Sequence, residues 1–108
     1  MLVKLLHNHY DSEKLEKVKE IMKAKGSPVI RVIWDDMNGI WMAIEGCHRI
    51  RAAKDLGLNI ILKDVSEQKQ VRYQQDDESV RVSVKKLKEE LLELWRNELV
   101  EFDSEFDY

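Results

Sequence analysis

Ile44-Glu45-Gly46-Cys47-His48-Arg49-Ile50-Arg51-Ala52-Ala53-Lys54-Asp55-Leu56-Gly57 is the stretch on which the fold of this chain turns. An apolar run ends at Glu45, and Gly46 permits a tight turn. Ile50, Ala53 and Leu56 then share one face at helical spacing, before Gly57 supplies a stop. A strand that passes through a glycine into a helix aims free backbone N–H groups and the positive helix end at one spot. Anions, phosphates above all, bind at such spots. Arg49 and His48 add a guanidinium and an imidazole beside it.

Working upstream, residues 40–44 and 29–34 are rich in β-branched and aromatic side chains and read as two strands. Asp35-Asp36-Met37-Asn38-Gly39 lies between them, and Asn-Gly is a strong tight-turn signal. Trp34 and Trp41 then fall across a hairpin, as core residues. Gly26-Ser27-Pro28 ends a helix that starts at an N-cap of Asp11 or Ser12 and turns Leu15, Val18, Ile21 and Met22 inward. Residues 1–6 form a short first strand, followed by a polar connection over 7–10.

Downstream, residues 59–65 read as a buried strand, and 66–75 as a polar loop or short helix. From about Asp77, Val80, Val84, Leu87, Leu91 and Leu94 are spaced 4, 3, 4 and 3 apart, which predicts a long helix. Alternation of Val80, Val82 and Val84 offers a brief strand instead, before a helix from Lys85; the sustained stripe favours the helix. Leu92, Trp95, Leu99 and Phe102 make a second apolar row, to be buried on the domain or in a dimer seam. The acidic, aromatic residues 101–108 read as a frayed end able to dock a partner. The expected fold class is α/β (α+β): a small mixed sheet with packed helices plus a long C-terminal helix. Its expected division is 1–76 for the domain proper, with 77–108 as part of the same globular unit or a dimer seam.

Composition narrows the function. A chain of 108 residues suits one domain with a core of its own. Its 21 acidic residues outnumber its 18 basic ones, for a net charge of −3, which argues against autonomous, tight binding of nucleic acid. A single cysteine excludes an internal disulfide. No segment approaches the roughly 20 apolar residues of a membrane span, so the expected location is cytoplasmic.

Glu45-Gly46-Cys47-His48-Arg49, with Ala52-Ala53 and Leu56-Gly57 behind it, resembles the ParB/sulfiredoxin superfamily. ParB-type domains show a glycine, a variable position, His or Arg, then Arg, and continue into an Ala-Ala-x-x-Leu-Gly helix. Sulfiredoxins show Gly-Cys-His-Arg itself. Ser27-Pro28-Val29-Ile30-Arg31-Val32-Ile33 is similar to the Pro-anchored strand that precedes the hairpin in both branches, and the resemblance spans about residues 10–66.

What the resemblance implies is a nucleoside triphosphate, ATP or CTP with Mg²⁺, lying over the helix start. Gly46, Cys47, His48 and Arg49 would bind it, with Arg49 clamping phosphate oxygens and His48 donating a further hydrogen bond. Glu45 and Cys47 are the candidate catalytic residues. In sulfiredoxins the cysteine attacks a phosphorylated sulfinic acid, and in some kinase-like relatives an acid stands just before the glycine. Glu45 departs from the sulfiredoxin pattern, which has glycine there, and its other reading is a carboxylate paired with Arg49 or Arg51. Nucleotide binding with NTP hydrolysis or phosphoryl transfer is therefore the leading expectation. A sulfiredoxin-type reductase and a DNA-associated partition, regulatory or nuclease module are the alternatives. For the last, the roughly 40 residues after Val65 leave no room for a helix-turn-helix reader.

Weaker signals complete the list of candidates. His7 and His9 alternate near a strand end but lack a third ligand, so no metal site is expected. Arg31, Arg51, Lys54 and Arg72 form either a basic rim for nucleotide or nucleic acid, or a solvated face.

Overall fold

Asp11 opens the first helix as its side chain accepts hydrogen bonds from the backbone N–H groups of Glu13 (2.9 Å) and Lys14 (3.1 Å). Gly26 closes it with φ 82°, donating its N–H to Met22 O. Between these signals lies α1, Ser12–Lys25, preceded by β1, Leu2–Lys4. The hairpin of β2, Val29–Asp35, and β3, Ile40–Ala43, leads into α2, Cys47–Leu56, and then β4, Ile61–Asp64. A second hairpin, β5 (Gln70–Gln75) and β6 (Glu78–Ser83), precedes α3 (Val84–Leu92), β7 (Leu99–Glu101) and β8 (Glu105–Phe106). This structure, a computed structural model, describes residues 1–75, 78–94, 97–102 and 105–106.

Six strands form one mixed sheet in the order β7-β1-β3-β2-β4-β8, and β5-β6 is a separate two-stranded ribbon. The β1–β3, β2–β4 and β4–β8 pairs are parallel; β2–β3 and β1–β7 are antiparallel. The fold class is the mixed α and β type that the sequence indicates. Strand alternation sends side chains to two cores. Ile30, Val32 and Ala43 join Leu15 and Met22 of α1 and Ile50 and Ala53 of α2. Ile33, Met42 and Ile44 join Val71 of β5 and Leu87 and Leu91 of α3. The sheet is thus a middle layer, with α1 and α2 on one face and the ribbon and α3 on the other.

Asp35 secures the first hairpin, accepting from the N–H groups of Met37 and Asn38 and, at 2.7 Å, from Asn38 Nδ2. Trp34 pairs with Trp41 across it at a ring separation of 4.7 Å, both rings half-buried. Lys4, flanked by the two core residues Val3 and Leu5, projects to the opposite face and donates to Leu91 O at 2.8 Å. A cation thereby meets the negative end of α3.

Several expectations need correction. Among the described residues there is no long C-terminal helix: 78–83 is a strand, and α3 has nine residues. Val80 lies in phase with the α3 stripe by coincidence, whereas its alternation with Val82 reports the ribbon. Residues 70–75 are the partner strand rather than loop or helix. Leu92 is the last residue of α3 and Leu99 belongs to β7, 47% exposed, so no helical row joins them. Ile21 is 56% exposed, not turned inward. Of the acidic end, Phe102 is buried and residues 105–106 pair with β4. Asp103, Ser104, Asp107, Tyr108 and Trp95 lie outside the described residues.

Candidate functional site

At the head of α2, Gly46 is the N-cap with φ 72° and ψ 32°, left-handed geometry that glycine adopts without strain, and it offers no side-chain cap. A Cβ there would fall 2.7 Å from Ile30 Cδ1 and 3.1 Å from Arg49 Nη2. Glycine is therefore required twice, by conformation and by space. In front of this turn lies a cleft of about 530 Å³. Leu6, His7, Lys14, Val18, Ile44, Gln74 and all five residues from Glu45 to Arg49 line it.

Each site residue has a distinct place. Arg49 donates from Nη1 to Val29 O at 3.0 Å, and its Nη2 stands 3.4 Å from Glu45 Oε1. Glu45 also accepts from Arg31, through the backbone N–H (3.1 Å), Nε (2.9 Å) and Nη2 (3.3 Å). Burial pushes the Glu45 carboxyl up, but the hydrogen bonds from Arg31 and the charges of Arg31 and Arg49 outweigh it and hold the group below its ordinary value. His48 Nε2 accepts from the Asp11 N–H at 3.0 Å, which fixes a neutral ring with its proton on Nδ1. Burial, with Lys14 and His7 nearby, pushes its pKa down.

Cys47 is 3% exposed, in the first turn of α2. Burial pushes its thiol up, against smaller opposing effects of the His7 and Leu6 backbone and of Arg51. A helix start by itself favours a thiolate, but here desolvation dominates.

A family model, the ParB N-terminal domain, matches residues 4–91. The chain belongs to this family. No curated protein and no solved structure matches it. The matched span takes in the ribbon and nearly all of α3, well beyond the stretch over which the sequence motifs are recognisable.

The ParB-type turn thus brings Glu45, Gly46, Cys47, His48 and Arg49 to one cleft. Lys14, His7 and Gln74 join them without any sequence signal that marks them. Lys14 is placed by the packing of α1 against α2, and Gln74 by the ribbon. His7 and His9 stack at 4.1 Å, and His7 Nδ1 faces the His9 carbonyl oxygen. Among the described residues no group of three His, Cys, Asp or Glu could hold a metal ion, and no helix is long and apolar enough to cross a membrane.

The basic rim divides. Arg31 is committed to Glu45, Arg51 to Asn8 O and Glu98, and Lys54 to Glu101 O. Arg72 is exposed on the ribbon, directly opposite Arg81.

Proposed function

We propose that this ParB-type domain binds the phosphates of a nucleoside triphosphate, ATP or CTP, at the head of α2. The observation that carries this reading is a helix start without a side-chain cap, opening on a cleft lined by Lys14, His48 and Arg49. Amides supply neutral donors, Arg49 a planar fork for phosphate oxygens, Lys14 a point charge, and His48 an Nδ1 proton. Among the described residues, Glu45 is the only carboxylate lining the cleft. Mg²⁺ bound with the nucleotide would therefore take its ligands mainly from phosphate oxygens and water, as this ion commonly does. Hydrolysis or transfer of the terminal phosphoryl group is the reaction class such a site suits, because that chemistry asks chiefly for positioning and charge neutralisation.

The sulfiredoxin-type reading has less support, since Cys47 is nearly inaccessible and its thiol is pushed up. A role on DNA is likewise not favoured, because three of the four rim cations are bound within the fold.

Titration calorimetry with ATP, CTP and ADP, with and without Mg²⁺, tests the reading. Arg49→Ala is expected to weaken binding about tenfold or more, the worth of a charge-assisted hydrogen bond. Failure of all three nucleotides to bind, or identical affinity in Arg49→Ala, would overturn it. Cys47→Ser is expected to bind nucleotide like the wild type.

A further inference from the structure

Glu45 stands between two arginines that hold it unequally. Arg31 reaches it with three donors, the nearest at 2.9 Å, and satisfies the carboxylate by itself. Arg49 approaches only through Nη2, at 3.4 Å, while its Nη1 donates to Val29 O. Its guanidinium lies back over Gly46, in the space that any Cβ would fill. Arg49 is also the more exposed of the two cations, at 39% against 27% for Arg31. The carboxylate therefore has one secure partner and one loosely held partner, and the loose one lines the cleft.

We propose that Glu45 is a positioning residue that parks Arg49, and that a ligand phosphate draws Arg49 away while Arg31 alone keeps the carboxylate neutralised. This inference rests on the nucleotide reading of the cleft and adds a selection rule to it. An incoming anion must compete with a carboxylate for Arg49 and approach that carboxylate's charge, so a di- or triphosphate chain is favoured over a single phosphate. It also gives Glu45 a task other than proton abstraction, since a carboxylate accepting from Arg31 at three atoms is a poor base.

Calorimetry with tripolyphosphate, ATP and AMP on the wild type, Glu45→Gln and Arg31→Gln tests this. Thermal melts run alongside establish that each variant is folded. Glu45→Gln removes the competitor and is expected to tighten tripolyphosphate binding about three- to fivefold, the worth of an exposed ion pair. Arg31→Gln removes the two guanidinium donors, keeps the backbone N–H of residue 31 and leaves Arg49 as the cation on Glu45. It is expected to weaken binding by a similar factor, with partial recovery in Arg31→Lys. An ion pair that merely braced the fold would shift both variants in the same direction, and that result overturns the proposal. If the wild type binds and Glu45→Gln binds no more tightly, the parking role falls and the nucleotide reading stands. If neither binds, both fall. Independently of any ligand, the Glu45 carboxyl followed by carbon NMR is expected to titrate at higher pH in Arg49→Gln. An unchanged titration there also overturns the parking role.

Discussion

α1 and α2 lie against each other and begin in opposite ways. α1 starts on Asp11, whose carboxylate takes up two of its free amides. α2 starts on Gly46, which has no side chain to offer. The two starts touch, since the Asp11 N–H donates to His48 in the first turn of α2. α3 follows the α1 pattern, with Ser83 Oγ accepting from the Lys86 N–H. Two helices thus carry their own polar cap while α2, the one that opens on the cleft, does not. The difference is one of omission at the head of α2. The space a capping side chain would need is taken by Ile30 and Arg49. The positive end of α2 consequently stays available to an external anion.

The sharpest way to break this comparison is to give α2 a side chain at its cap. Gly46→Ala imposes a positive φ on a residue with a Cβ and drives that Cβ toward Ile30. Urea unfolding is expected to show a loss of about 2–3 kcal/mol, together with loss of nucleotide binding. An unchanged midpoint would mean the turn can rearrange freely.

Next in size is the link between the two starts. His48→Ala leaves the Asp11 N–H without its acceptor and is expected to cost about 1 kcal/mol. The same residue sets a pH dependence. The pKa values of His7 and His48 are both lowered on folding, so the unfolded chain binds the extra protons. Stability is then full above the ordinary histidine value of about 6.5 and declines as pH falls from there through the depressed values. Thermal melts from pH 7.5 to 5 should show this decline, and His48→Gln, which keeps an acceptor but cannot titrate, should make it shallower, leaving the share of His7.

Asp11→Ala removes the α1 cap and is expected to lower the melting temperature by less. Hydrogen bonds from the Lys14 and Glu13 amides hold Asp11 below the usual carboxylate range. Its contribution is therefore complete above that range and disappears as pH falls through the lowered value. Wild type and variant should draw closer as pH falls into the acid range, and a gap that does not narrow would count against the cap. The smallest effect is expected from Ser83→Ala, a few tenths of a kcal/mol in urea unfolding. The Ser83 cap is stretched to 3.4 Å, near the limit of useful geometry.

Both contrasting helix starts are legible in the sequence because their signals are local. Asp11 stands one residue before its helix, and Gly46 directly joins a strand to the next one. Asn38-Gly39 marks the first hairpin for the same reason. The ribbon is not legible in this way: Val80 satisfies a helical and an alternating pattern at once, and only pairing with 70–75 decides between them. At the site, the turn residues are readable as a group but their partners are not. Arg31 reaches Glu45 across 14 residues through the register of β2 and β3. Lys14 arrives from another helix. Cys47 is a catalytic candidate through the resemblance, whereas the burial that raises its thiol pKa depends on the packed fold.

The sheet edge formed by β1 and β7 bears on how the chain reaches its native state. Leu2, Val3 and Lys4 pair with Glu101, Val100 and Leu99, joining segments nearly a whole chain length apart. The first hairpin and the turn at Gly46 involve near neighbours, and closing a short loop costs less entropy than closing a long one. Contacts of such wide separation slow folding. During synthesis this edge stays open until the last strands emerge, leaving Val3 and Lys4 without their antiparallel partner. Closing of this edge is therefore expected to follow formation of the helix and hairpin that build the cleft.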